Sequence, residues 1–101
     1  MSAGYELSWA KKAVADLDDL NFYLSMHFGE REVGVFFRKL DARIQLISTS
    51  PLLFPESKSR TGLRKCVVTK YTVIYYQLRS RKITIVAILD SRRNALFIRE
   101  R

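Results

Sequence analysis

From Ala10 to Phe28 the apolar residues Ala13, Leu17, Leu20, Leu24 and Phe28 recur at steps of three and four. That spacing draws one stripe along a helix, and Lys11, Lys12, Asp16, Asp18 and Asp19 lie largely off it. Gly29 is a natural stop. A second pattern of the same period runs from Glu30 to Ser48, with Val33, Phe36, Phe37, Leu40, Ile44 and Ile47 on one side. Glu30 and Glu32 stand in its first turn, where the helix dipole favours anions. Two amphipathic helices joined by so short a break are expected to pack as an antiparallel hairpin.

The segments around this hairpin carry a period of two. Ahead of it, Tyr5-Glu6-Leu7-Ser8-Trp9 alternates and predicts a short strand with Tyr5, Leu7 and Trp9 on one face. Ser8 offers a side-chain oxygen where the first helix begins. Behind it, Pro51 and Pro55 bound a stretch that cannot be regular helix, and Glu56 to Gly62 is polar and loop-like. Val, Ile, Thr and Tyr then crowd three segments, Leu63 to Thr69, Tyr71 to Leu78 and Lys82 to Leu89, which read as strands. Their links are short, so neighbours run antiparallel. The third is apolar at nearly every residue and belongs in the middle of the sheet. On the middle segment, Tyr71, Val73 and Tyr75 share the face expected to enter the core, and Ile74, Tyr76 and Leu78 point the other way. The tail from Asp90 to Arg101 reads as a short helix, with an added strand as the alternative. The result is an α+β domain of order β-α-α-β-β-β, a helical hairpin on a mostly antiparallel four-stranded sheet, spanning residues 1–101. The first strand needs a long helical connection and pairs with a strand distant in sequence.

Charge adds a second kind of asymmetry. Residues 1–57 hold six Lys/Arg against eight Asp/Glu, whereas residues 58–101 hold twelve against two, a local excess of +10 within a net +8. A basic half on a small domain points to an anionic partner: nucleic acid, an acidic protein segment or a lipid surface. The chain has no apolar run of transmembrane length and opens without the basic start and apolar core of a secretory signal, so a cytoplasmic protein is expected, with no membrane partner. One cysteine, Cys66, allows no internal disulfide and reads as a small core residue. A single histidine and a single cysteine give no zinc set, no Gly-rich phosphate loop is present, and no cofactor is implied. His27, at the end of the first helix, reads as a surface or capping residue.

The basic residues are the candidate site. Arg64 and Lys65 open one strand after the Gly62 turn, and Arg92 and Arg93 follow the last strand. If these ends lie together, the four side chains form one cationic rim that binds a target's phosphates or carboxylates. Arg79, Arg81 and Lys82 fall at the opposite turn and read as hairpin-tip charges.

The order of elements, with Gly62-Leu63-Arg64, then Tyr71-Thr72-Val73-Ile74-Tyr75-Tyr76, then Ile88-Leu89-Asp90-Ser91-Arg92-Arg93, resembles the RelE/ParE toxin superfamily. The opening strand and the helix with Ala13 and Asp16-Leu17 are similar to that family's N-terminus. The resemblance covers nearly the whole chain. It implies the toxic half of a bacterial type II toxin–antitoxin pair, bound by a cognate antitoxin. The family divides by target. ParE-like members poison DNA gyrase, and RelE-like members cut messenger RNA on the ribosome. The closing segment Ile85 to Arg93 and the Gly-Leu-Arg segment look more like ParE, so gyrase is the expected target. For the alternative, an endoribonuclease, the candidate catalytic groups are Arg64 and Arg93 for phosphate, with Glu56, Lys65 and Tyr71 as proton handlers.

Overall fold

In the computed structural model, which describes residues 4–92, strand β1 (Glu6–Trp9) leads into helices α1 (Lys11–His27) and α2 (Glu30–Thr49). Strands β2 (Arg64–Val67), β3 (Thr72–Arg79) and β4 (Lys82–Asp90) follow. The sheet order is β1-β4-β3-β2. β1 runs parallel to β4, with Trp9 opposite Ile85, and the other pairs are antiparallel. β4 is therefore interior, as its unbroken apolar run requires. The helical expectation for the tail falls mostly on residues 93–101, which lie outside the described residues.

The expected helical stripes are the buried ones. Ala13, Leu20 and Leu24 of α1 and Phe36, Leu40 and Ile47 of α2 are buried, and Leu17, Val33, Phe37 and Ile44 pack against them. Phe28 lies just past the end of α1 and stays 41% exposed. Ser8 does not cap α1. The N-cap is Ala10, whose amide hydrogen-bonds to the Ile85 carbonyl, while Ser8 remains in the strand with its hydroxyl beside that of Thr84.

The sheet face that meets the helices differs from the expected one. Cys66, Ile74, Tyr76, Ile83, Ile85 and Ile88 form the core with the helices. Tyr71 is 38% exposed, and Tyr75 is buried on the opposite face, under the Arg60 guanidinium at 4.9 Å. Both alternating sets on β3 are apolar, so hydrophobicity alone did not separate them. Tyr76 goes inside because its hydroxyl finds an acceptor there, the Pro51 carbonyl. A β-bulge settles the pattern on β4. Tyr75 pairs with Ala87 and Tyr76 with Ile85, leaving Val86 as the extra residue. Ile85 and Ile88, three apart, can thus both face the helices.

One polar contact locks the helices to this sheet. β1 accompanies β4 only as far as Ile85, because the chain then turns into α1. Beyond that point the Ile88 amide donates to the Asp16 carboxylate at 3.0 Å, which also holds Lys12 at 2.8 Å. Asp16→Ala is expected to cost about 2 kcal/mol in chemical denaturation, since a buried-side amide loses a charged acceptor. Asp16→Asn should recover part of that.

Candidate functional site: two arginine clusters at opposite ends of the sheet

At the end of β4, Asp90 points to the helix side and is 5% exposed. Its carboxylate accepts from Thr72 Oγ1 at 2.6 Å, from Arg92 Nε at 3.1 Å, from Arg92 Nη2 at 2.8 Å and from the Arg92 backbone amide at 3.0 Å. Thr69 Oγ1 donates to Thr72 Oγ1 at 3.2 Å, extending the chain of bonds into the β2–β3 turn. Burial pulls the Asp90 carboxyl upward, but the Arg92 and Thr72 hydrogen bonds and the Arg92 charge outweigh it and hold the group below the usual carboxylate range. The fixed Arg92 guanidinium lies over the Tyr71 ring at 4.6 Å and near the Phe28 ring at 5.4 Å.

Arg92 stands on the wall of a groove of about 480 Å³ between α2 and the β2–β3 turn. Lys39, Lys70 and Glu32 supply its charges, and Val35 and Phe36 its apolar wall. A smaller apolar pocket of about 180 Å³ adjoins it, reaching Leu24, Phe28 and Val33. Such a groove can hold an apolar side chain and a carboxylate side by side.

The second cluster belongs to the loop before β2. Arg64 Nη1 donates to the Phe54 carbonyl at 2.6 Å, and Nη2 lies 3.8 Å from the exposed Glu56 carboxylate. The Lys65 amide donates to the Pro55 carbonyl, the Ser57 amide to the Leu63 carbonyl, and Glu56 bridges Arg64. Gly62, at φ +83° with open space around it, makes the left-handed turn that closes this small hairpin. The Lys65 side chain projects from the other face of β2 and is exposed.

The two clusters do not form one rim. Arg64 pairs with Tyr76, whereas Asp90, two residues before Arg92, pairs with Thr72. Four residues of strand separate these levels, about 13 Å. In a meander of three strands the first start and the last end lie at opposite ends of the sheet, so the expected convergence was topologically impossible. Arg64 and Glu56 come together, and Tyr71 and Arg92 come together. Lys65 joins neither side-chain cluster, and Arg93 lies outside the described residues. Arg81 stacks near Tyr5 at 5.9 Å at the β3–β4 turn, in keeping with a hairpin-tip role.

Asp16, Thr72 and Arg43 were not singled out as functional groups by the sequence. Arg43 Nε donates to the Val67 carbonyl at 3.2 Å, closing part of the outer edge of β2. Cys66 is fully buried, and burial pushes its thiol up to about 11 against the opposing pull of Arg43, so it is chemically quiet. Burial likewise pushes the Tyr76 phenol up to about 12, against the opposing charge of Arg64. Among the described residues no group of three His, Cys, Asp or Glu is placed to hold a metal ion, and no helix is long and apolar enough to cross a membrane.

A model for the ParE toxin of the type II toxin–antitoxin system parDE matches residues 7–95. The chain belongs to the ParE toxin family. It is the toxin component of a type II toxin–antitoxin system. Toxin ParE1 of Caulobacter vibrioides is 32% identical over 92 residues, which are 90% of this chain and 92% of that protein. Among solved structures, the chromosomal ParDE TA system of P. aeruginosa has a TM-score of 0.74 at 16% identity, covering 88% of this chain and 98% of the other. A chain of the E. coli DinJ-YafQ toxin-antitoxin complex has a TM-score of 0.63 at 16% identity, covering 93% of this chain and 98% of the other. These two likenesses concern the fold, which this ParE-family toxin shares over almost its whole length.

Proposed function

We propose that this toxin arrests growth by binding and inhibiting DNA gyrase, and that a cognate antitoxin with acidic residues neutralises it. The observation that carries this reading is the dispersal, among the described residues, of Arg64, Lys65 and Tyr71, three of the side chains named for RNA cleavage. Cleaving RNA through a 2′-hydroxyl needs a proton acceptor, a proton donor and a free cation at one phosphate. Here Arg64 is turned onto the Phe54 carbonyl, Lys65 leaves from the opposite face, and Tyr71 stands at the far end of the sheet under Arg92. Inhibition by binding needs no such convergence. A broad basic surface with apolar relief suffices, and the groove at Arg92 suits an acidic, apolar antitoxin segment. The family of the chain and its likeness to Toxin ParE1 support the same target class.

Purified toxin added to gyrase is expected to stop supercoiling and to trap cleaved DNA, and addition of the antitoxin should restore supercoiling. Gyrase left active by an excess of toxin would defeat the proposal. Messenger cut at codon boundaries in arrested cells would replace it with the ribosomal reading.

A further inference from the structure

The face of the sheet turned away from the helices carries charges that the two arginine clusters do not use. Its side chains lie in cross-strand rows. Lys65, Tyr75 and Ala87 make one row, Gln77, Thr84 and Ser8 the next, and Arg79, Lys82 and Glu6 the last. Arg60 reaches the first row from the loop before β2 and lies over the Tyr75 ring at 4.9 Å. Arg60, Lys65, Arg79 and Lys82 are all exposed, and none makes an ion pair with a described residue. Arg64 and Arg92, by contrast, are each tied to a carboxylate. Glu6 is the one acid that the described strands place on this outer face.

We propose that this outer sheet face binds the phosphate backbone of duplex DNA. Four cations without acidic partners, held on one surface, call for an anionic ligand. The groups between them decide its kind. Gln77, Thr84 and Ser8 are neutral hydrogen-bonding side chains suited to phosphate oxygens, and Tyr75 and Ala87 are buried. A protein partner seeks an exposed apolar centre poor in lysine. Apart from half-exposed Val86 at the bulge, the apolar residues of this face, Val67, Val73 and Leu89, form a separate row beyond Lys65, toward Asp90. A polar, strongly cationic surface is the character of a DNA interface. A single strand needs a ring free to stack on its bases, and here Arg60 covers the Tyr75 ring. The charges therefore meet the outside of a double helix and do not read its bases. The choice of DNA over RNA rests on the proposed action on gyrase, whose substrate is duplex DNA; the toxin then touches both the enzyme and its DNA.

The test follows binding of purified toxin to a short fluorescent DNA duplex of mixed sequence, by anisotropy, between about 50 and 200 mM salt. Wild type is compared with Lys65→Gln/Lys82→Gln and with Arg31→Gln/Arg38→Gln, an equal loss of charge from exposed positions on α2. Wild-type affinity should fall steeply as salt rises. The Lys65/Lys82 variant should melt like wild type and bind roughly tenfold more weakly at the lowest salt. It should also lose about 2 from the slope of log K against log salt, one for each phosphate contact. The α2 variant should keep the wild-type slope. Equal losses in the two variants overturn the proposal, because they assign binding to net charge alone. So does tighter binding of a duplex RNA or of a single strand, or a wild type that binds no duplex at the lowest salt. If the double variant does not fold, Lys65→Gln and Lys82→Gln are measured singly, and each should lower the slope by about 1. An unchanged slope in both overturns the proposal. Supercoiling assays separate this site from the gyrase reading. A wild type that binds duplex DNA but leaves gyrase active keeps the site and ends that reading. A wild type that stops gyrase without binding duplex DNA does the reverse.

Discussion

Ile85→Ala is expected to lower the unfolding free energy by about 4 kcal/mol, near the top of the range for truncating a buried isoleucine. The residue is fully buried, faces the helices, and lies between Trp9 on β1 and Tyr76 on β3. Its backbone is held on both sides, with its carbonyl also taken by Ala10. The cavity left by three lost carbons therefore has little freedom to close. For a domain whose total stability is about 5–15 kcal/mol, that is a large share. It corresponds to a fall in melting temperature of roughly 16 °C or more. Val86→Ala, one residue along at the bulge, should cost about 1 kcal/mol, because Val86 is half-exposed and pairs with nothing on β3. Equal losses at 85 and 86 in urea titrations would contradict the placement of the bulge.

That contrast shows where the sequence was informative. The two helical stripes were legible because helix periodicity needs only local spacing, and steps of three and four through Ala13, Leu17, Leu20 and Leu24 draw one continuous line. The central place of β4 was legible because a strand apolar on both faces has nowhere else to go. The facing of β3 was not, since Val73 and Tyr75 are as apolar as Ile74 and Tyr76. The Tyr76 hydroxyl resolves it through Pro51, twenty-five residues away. The isoleucines at 83, 85 and 88 did carry a trace of the bulge, as a step of two followed by a step of three. At the site, Arg64 and Arg92 were recognised as special, but as surface charges seeking a ligand. Each is instead committed to its own chain, Arg64 to Phe54 and Arg92 to Asp90. Composition counts charges and does not show which are already paired. Asp16 meets Ile88 across seventy-two residues, a contact that no local pattern encodes.

The second large effect concerns the Asp90 cluster. Asp90→Ala is expected to cost about 3 kcal/mol, at the low end for breaking a buried pair, because Arg92 keeps some access to water and can turn outward. The Thr72 O–H, fully buried beside the lost carboxylate, still accepts from Thr69 but loses the group it donates to. Asp90→Asn preserves shape and should cost less, since an amide can still accept from Thr72, but it gives up the charge that fixes Arg92. The pH dependence separates these contributions. The folded-state pKa of Asp90 lies below its unfolded value, so the folded protein binds the proton more weakly than the unfolded chain. Its stabilisation is therefore complete above about pH 4, the ordinary range for an aspartate, and is lost as pH falls through the lower folded value. Wild-type stability should drop more steeply on the acid limb than that of Asp90→Asn, with the two curves approaching each other at low pH. Parallel curves from pH 7 down to the acid limit would mean that Asp90 binds its proton equally well in the folded and unfolded chain, and the electrostatic account of how Arg92 is held would have to be abandoned.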